Sequence, residues 1–168
     1  SAVAAEDRRA ARLVRWAFGL LALGDTGHVG FRVLAYALGD LELTLTVWGQ
    51  QVGLVGMGAM ATAFTVTLFY VLMVYVWRAR FEGAFSWFQY GLLAAAAVRT
   101  GLMAVPANRW NSAVPPQPWS TYRNLPLMVQ GLGVAYLFLR DARQADDTTF
   151  LWIGAMIGSG TVERPKRS

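Results

Sequence analysis

The chain contains no cysteine and only one histidine, His28, in its 168 residues. The lack of cysteine excludes disulfide bonds, thiolate metal ligands and cysteine nucleophiles. A single imidazole also excludes zinc or di-iron sites built from several histidines of this chain. We therefore predict no metal site and no cofactor. The weaker alternative is a haem with His28 as one axial ligand and Met57, Met60 or Met73 as the other.

Charged residues are also scarce, and lysine is almost missing. Charged side chains make up 15% of the chain and apolar ones 55%, and fourteen of the fifteen basic residues are arginine. A composition this apolar is typical of membrane proteins, so the expected partner is a lipid bilayer. The net charge of +5 does not indicate nucleic acid, because the basic residues cluster between apolar segments and form no stripe with stacking aromatics.

The long apolar segments predict an all-α fold: a polytopic membrane helix bundle that forms a single transmembrane domain over residues 1–168. Crossing a bilayer takes about 20 residues in a helix. Full spans are predicted at 13–38, 54–77, 84–105 and 122–139, and a short or truncated fifth helix at 148–160. Residues 41–48 alternate apolar and polar side chains, which predicts an extended segment or hairpin outside the hydrocarbon, or alternatively the start of an interfacial helix.

The arginines predict the orientation of these spans. Residues 8–15 hold four arginines, 78–80 hold two and 140–143 hold two, whereas 39–53 and 106–124 together hold only Arg109 and Arg123. Basic residues accumulate on the cytoplasmic side of membrane proteins. The N-terminus and the connections after the second and fourth spans are therefore predicted to be cytoplasmic.

The first predicted span carries three ionisable side chains, Asp25, His28 and Arg32. At roughly 100° per residue they fall within about 60° of each other around the helix, so they form one polar stripe. Charges inside a bilayer are costly and usually functional. Arg99 in the third span is another charged residue inside a predicted span, although its long side chain could also extend to the outer interface.

These groups predict an outward-facing, basic intramembrane pocket for a small anionic or amphipathic ligand such as a lipid headgroup. Arg32, Arg99 and Arg123 would hold the negative charge, and Asp25 and His28 would orient the ligand or exchange protons. The remaining predicted ligand-binding residues are Trp110, Trp119, Tyr122, Asn124 and Gln130. The connection at 106–124 would act as a lid, or its aromatics would anchor in the headgroups.

Three other interpretations stay open. The charges could form an internal ion-pair network, Asp25 with Arg32 or Arg99, that only fixes helix packing. The protein could be an enzyme in which Asp25 and His28 act as an acid–base pair on a lipid or isoprenoid substrate. It could also be a structural subunit that associates with copies of itself or with another membrane chain.

Three short motifs carry a resemblance to a known family. They are Gly24-Asp25-x-x-His28-x-x-x-Arg32, Pro106-x-Asn108-x-Trp110 and Tyr122-Arg123-Asn124-x-Pro126. In these motifs the chain resembles an uncharacterised family of bacterial multi-pass membrane proteins. The resemblance implies a bacterial inner-membrane location and further spans beyond the end of this chain. It implies no activity.

Overall fold

The computed structural model describes residues 2–47, 49–109 and 116–161, and in these ranges the chain is mainly helical. The elements in order are α1 (Ala2–Ala37), β1 (Thr44–Val47), β2 (Gln50–Gly53), α2 (Leu54–Phe81), α3 (Trp87–Ala104), a 3-10 turn (Pro106–Asn108), α4 (Trp119–Gln144) and α5 (Thr148–Thr161). The predicted all-α class is confirmed. The five α-helices in the described ranges match the predicted apolar segments in order.

α1 and α2 form a long helical hairpin. The less exposed positions of α1 recur at alternating spacings of four and three residues: 10, 14, 17, 21, 24, 28, 31 and 35. This spacing keeps one face of α1 against α2 along its length. Small residues set the separation of the two helices, since a Cβ added at Gly58 would meet the Gly27 carbonyl oxygen at 3.0 Å. The lack of a side chain at Gly58 thus lets the two helices approach closely.

A short antiparallel hairpin joins these two helices. Thr44 pairs with Gly53 and Val47 with Gln50, and Gly49 in the turn has φ +77°. The alternating pattern at 41–48 thus forms an extended strand over 44–47, and the hairpin prediction is confirmed there. The interfacial-helix alternative does not apply to these residues.

The core lies mainly among α2, α3, α4 and α5, and α1 contributes one residue to it. Its buried side chains are Ala17, Phe69, Tyr70, Met73, Val74, Val76, Trp77, Leu92, Val134, Ala135, Leu137, Phe138 and Ile157. α1 contacts α2 on one side of this core, and α5 contacts α4 on the other. The outer face of α1 is therefore left exposed.

Some helix ends differ from the predicted spans for local reasons. α3 begins at Trp87 because Ser86 caps it: the Ser86 hydroxyl accepts a bond from the Phe88 amide, and the Gln89 side chain accepts one from the Ser86 amide. α4 begins at Trp119, so Pro126 lies inside the helix and not in its first turn.

One described helix, α2, is long and apolar enough to cross a membrane, and α5 is apolar but shorter. α1, α3 and α4 do not meet that criterion because charged and polar side chains interrupt their apolar runs. Of the four predicted spans, the one at 54–77 falls in a helix of the required kind. The four-span arrangement stays a prediction.

Candidate functional site

Arg99 of α3 is a charged side chain that is buried, with only 4% of its surface exposed. Its Nη1 donates to the Thr67 hydroxyl at 2.6 Å and to the Ala63 carbonyl oxygen at 3.1 Å, both on α2. Its Nε is buried and has no protein hydrogen-bond partner. The alternative in which the Arg99 side chain extends to the outer interface is therefore not seen, because α2 supplies acceptors for it between the helices.

A second arginine, Arg123, enters the same region from α4. Its Nη1 donates to the Asn108 side-chain oxygen at 3.4 Å. Asn108 is fully buried, and its amide nitrogen lies 3.5 Å from the Met103 carbonyl oxygen. Asn108 therefore joins Arg123 to the C-terminal end of α3. Arg123 is close enough to Arg99 for their positive charges to repel.

Gln130 of α4 lies deeper between the same helices and is 1% exposed. Both its amide nitrogen and its amide oxygen lack a protein hydrogen-bond partner. Leu92 packs against Gly133, which fixes how α3 and α4 are aligned. Counting three residues along the antiparallel helices from this contact places Gln130 level with Ala95, about one helical turn (~5 Å) along the bundle from the Arg99 backbone.

We call Arg99, Asn108, Arg123 and Gln130 the arginine cluster. The cluster contains two guanidinium groups and no acidic side chain, and no carboxylate within the described ranges pairs with either arginine. Buried charges are normally paired. The arginine cluster therefore carries an excess of positive charge together with unused hydrogen-bond donors.

The ionisable residues of α1 lie apart from this cluster. Asp25 and Arg32 are exposed and form no hydrogen bond or ion pair with any described residue. His28 is half-buried toward α2, and its Nδ1 is buried without a partner. The described contacts thus show neither an Asp25–Arg99 ion pair nor a hydrogen bond between Asp25 and His28. No observation favours the acid–base enzyme over the other interpretations.

The threonine hydroxyls of α2 bond in two ways. Thr65 and Thr67 donate to carbonyl oxygens of their own helix, at Ala61 and Ala63, at 2.9 and 2.7 Å. Thr62 instead donates to the Gly24 carbonyl oxygen of α1 at 2.8 Å. Gly24 leaves room for this contact because it has no side chain.

The predicted aromatic cover is described only in part. Trp119 and Tyr122 meet edge to face with ring centroids 6.0 Å apart, in the first turn of α4. Tyr122 and Asn124 are exposed, whereas Trp119 is half-buried. Trp110 lies outside the described residues. Two of the predicted covering rings therefore lie on the same helix as Arg123.

A second polar group, at the opposite end of the bundle, was missed by the sequence reasoning. The Trp77 indole donates to Asp141 Oδ2 at 2.6 Å, and Arg140 pairs with Asp141 Oδ1 at 2.6 Å. The hydrogen bonds from Arg140 and then from Trp77 lower the pKa of Asp141 below its usual range. A cleft of about 570 Å³ lies beside this group, also lined by Gln89 and Gln144. The sequence signal for this group is weak: a buried tryptophan needs a hydrogen-bond acceptor for its indole N–H, but the sequence does not say which residue supplies it.

Comparisons with models of protein families, with curated proteins and with solved structures found no match to this chain. The resemblance carried by the three short motifs stays a prediction. Function is therefore inferred from the residues of the site and their geometry.

Proposed function

We propose that the chain is a multi-pass membrane protein whose arginine cluster binds a small anionic or amphipathic ligand from the outer side of the bilayer. The observation that carries this proposal is Arg99, a buried cation with no acidic partner among the described residues and a second arginine beside it. An anion would neutralise both charges in a region shielded from water, where such interactions are strong.

The distribution of exposed aromatic residues supports the membrane placement. Trp16, Trp87 and Trp152 are 69, 84 and 69% exposed, and all three lie toward the end of the bundle that carries most of the arginines. Tryptophan is enriched where membrane proteins cross the headgroup region. Together with the apolar α2, this supports placement in a membrane. We propose that α1 to α4 form the spans, that α5 is a partial fifth helix, and that the N-terminus is cytoplasmic in a bacterial inner membrane.

The geometry of the arginine cluster favours a carboxylate or a phosphate-like group as the bound charge. A guanidinium presents several N–H donors in one plane and matches the paired oxygens of such groups. Arg99 still has its Nε free, and Gln130 adds a buried amide that can donate and accept. An amphipathic ligand such as a lipid would bring its headgroup to these donors from the bilayer and leave its chain in the hydrocarbon.

Thermal unfolding of the purified protein in an uncharged detergent tests this proposal. The probes are short-chain phosphatidylglycerol, which is anionic, and short-chain phosphatidylcholine, which is zwitterionic. A ligand that binds only the folded state raises the midpoint temperature by mass action. We expect the anionic lipid to raise it and the zwitterionic lipid to have little effect.

The Arg99→Gln variant should lose this response, and Arg143→Gln is the matched control. Arg143 is exposed at the other end of α4, so its replacement removes the same charge far from the cluster. Two results would overturn the proposal. One is an equal rise in midpoint temperature with both lipids, and the other is a rise that Arg143→Gln abolishes as fully as Arg99→Gln does. Either result would mean that the lipid binds by non-specific charge attraction.

A further inference from the structure

The outer face of α1 carries two opposite charges that the described structure leaves without partners. Asp25 and Arg32 are seven residues apart, so they lie about 20° from each other around the helix and ~10 Å apart along it. At that separation they do not form an ion pair with each other in the structure. Both side chains are exposed and lie on the flank of α1, beside the face that contacts α2.

The surface around these two charges is apolar. Val29, midway between them, is 59% exposed, and Tyr36 one turn beyond Arg32 is 69% exposed. Val33 on the adjoining stripe is 60% exposed. Apolar side chains of this kind can face lipid, whereas a charged side chain that faces lipid near the bilayer centre is strongly unfavourable. The two charges therefore call for a polar partner that the lipid cannot supply.

We infer that the outer face of α1 docks a helix of another membrane protein that carries a basic residue at the depth of Asp25 and an acidic residue at the depth of Arg32. This inference rests on the membrane placement in the proposed function. Because the two charges are opposite and lie at a fixed spacing, they specify both the order of the charges on the partner helix and the depth of that helix in the membrane.

A second copy of this chain does not fit the face. The arginine distribution gives every copy the same orientation, so a two-fold dimer through α1 is parallel. Asp25 would then face Asp25 of the other copy, and Arg32 would face Arg32. Like charges placed opposite each other disfavour that pairing.

Cysteine cross-linking tests the inference, and the natural absence of cysteine makes single-cysteine variants unambiguous. The probe is a co-expressed single-span leucine–alanine helix with an arginine-rich cytoplasmic flank that fixes its orientation. It carries an arginine at the depth of Asp25, an aspartate at the depth of Arg32 and a cysteine between them. A second probe has the same composition with the two charges exchanged.

We expect the Val29→Cys variant to cross-link to the first probe and not to the second. Exchanging the charges in the chain, with Asp25→Arg and Arg32→Asp together, should reverse this preference. Leu132→Cys, an exposed position on α4, is the control and should cross-link to neither probe.

Equal cross-linking to both probes, or to neither, would overturn the inference and leave the arginine cluster untouched, because that cluster is tested by the lipid response of Arg99→Gln. A cross-link between two Val29→Cys chains without any probe would identify a second copy as the occupant and also overturn it. If the Val29→Cys variant reacts with a water-soluble maleimide as fast as a Gln117→Cys variant does, the face lies in water, and the membrane placement itself fails.

Discussion

Replacing Gln130 with methionine is expected to stabilise the ligand-free protein. Gln130 is 1% exposed, and neither of its amide atoms has a protein hydrogen-bond partner. Most substitutions in a core destabilise a protein. Methionine has a similar length and no group that requires a hydrogen bond, so it should fill the same space without the polar cost.

The magnitude follows from the cost of a buried, unpaired amide. Mutational data place that cost at about 1–3 kcal/mol, and replacing such a group with an apolar one of the same shape recovers it. We therefore expect the free energy of unfolding of Gln130→Met to rise by about 1–3 kcal/mol without ligand. Gln144→Met, at the exposed end of the same helix, should change it by less than about 0.5 kcal/mol.

Denaturant unfolding in uncharged detergent measures both variants, with and without the anionic lipid. Gln130→Met should also gain less from that lipid than the parent protein, since it has lost a hydrogen-bonding group of the arginine cluster. A loss of stability in the ligand-free Gln130→Met protein would refute the reasoning. It would mean that the amide is already hydrogen-bonded, and that its role is to hold α3 and α4 together.

Three further predictions follow from the fold. Cysteine labels at Gln117 and Ala84 should react from opposite sides of the membrane; labels on one side would remove α3 as a span. Gly24→Ala should destabilise the α1–α2 hairpin by about 1–3 kcal/mol because its Cβ would collide with the Thr65 side chain of α2. Gly30→Ala, with open space around it, should be neutral or stabilising by up to about 1 kcal/mol. Asp141→Asn should lower the free energy of unfolding at neutral pH, and the parent and the variant should become more alike as pH falls below about 4. The reason is that a carboxyl whose pKa is lowered in the folded state stabilises the protein above its unfolded pKa and loses that effect in acid. A difference in the free energy of unfolding that is the same at pH 6 and at pH 3 would contradict this prediction.

Several features of the fold could be predicted from the sequence because local rules govern them. Continuous apolar runs indicate helices, and alternation at 44–47 indicates a strand, since side-chain direction repeats with a fixed period in each. Ser86 with Gln89 three residues later is a local signal of the same kind for the start of α3, although the predicted span at 84–105 did not use it. The absence of cysteine excludes whole classes of chemistry without reference to any structure.

Helical periodicity also placed Asp25 and Arg32 correctly on a single stripe, but it did not tell which neighbour the stripe meets. That depends on contacts between residues far apart in the chain, and α1 packs against α2 through an adjoining face that leaves Asp25 and Arg32 exposed. The same limit explains Thr62, whose hydroxyl reaches Gly24 of another helix because the two helices approach closely there.

The sequence by itself determined which residues are costly to bury: Arg99, Arg123 and Gln130 stand out in apolar helices whatever the fold. Only the tertiary structure decided which of them come together and which acceptors they find. Arg99 turns toward Thr67 and Ala63 because α2 lies beside α3, while Asp25 stays on the outside of α1. A charge's partners are set by distances of a few ångströms across different helices, and such distances exist only once the helices have packed.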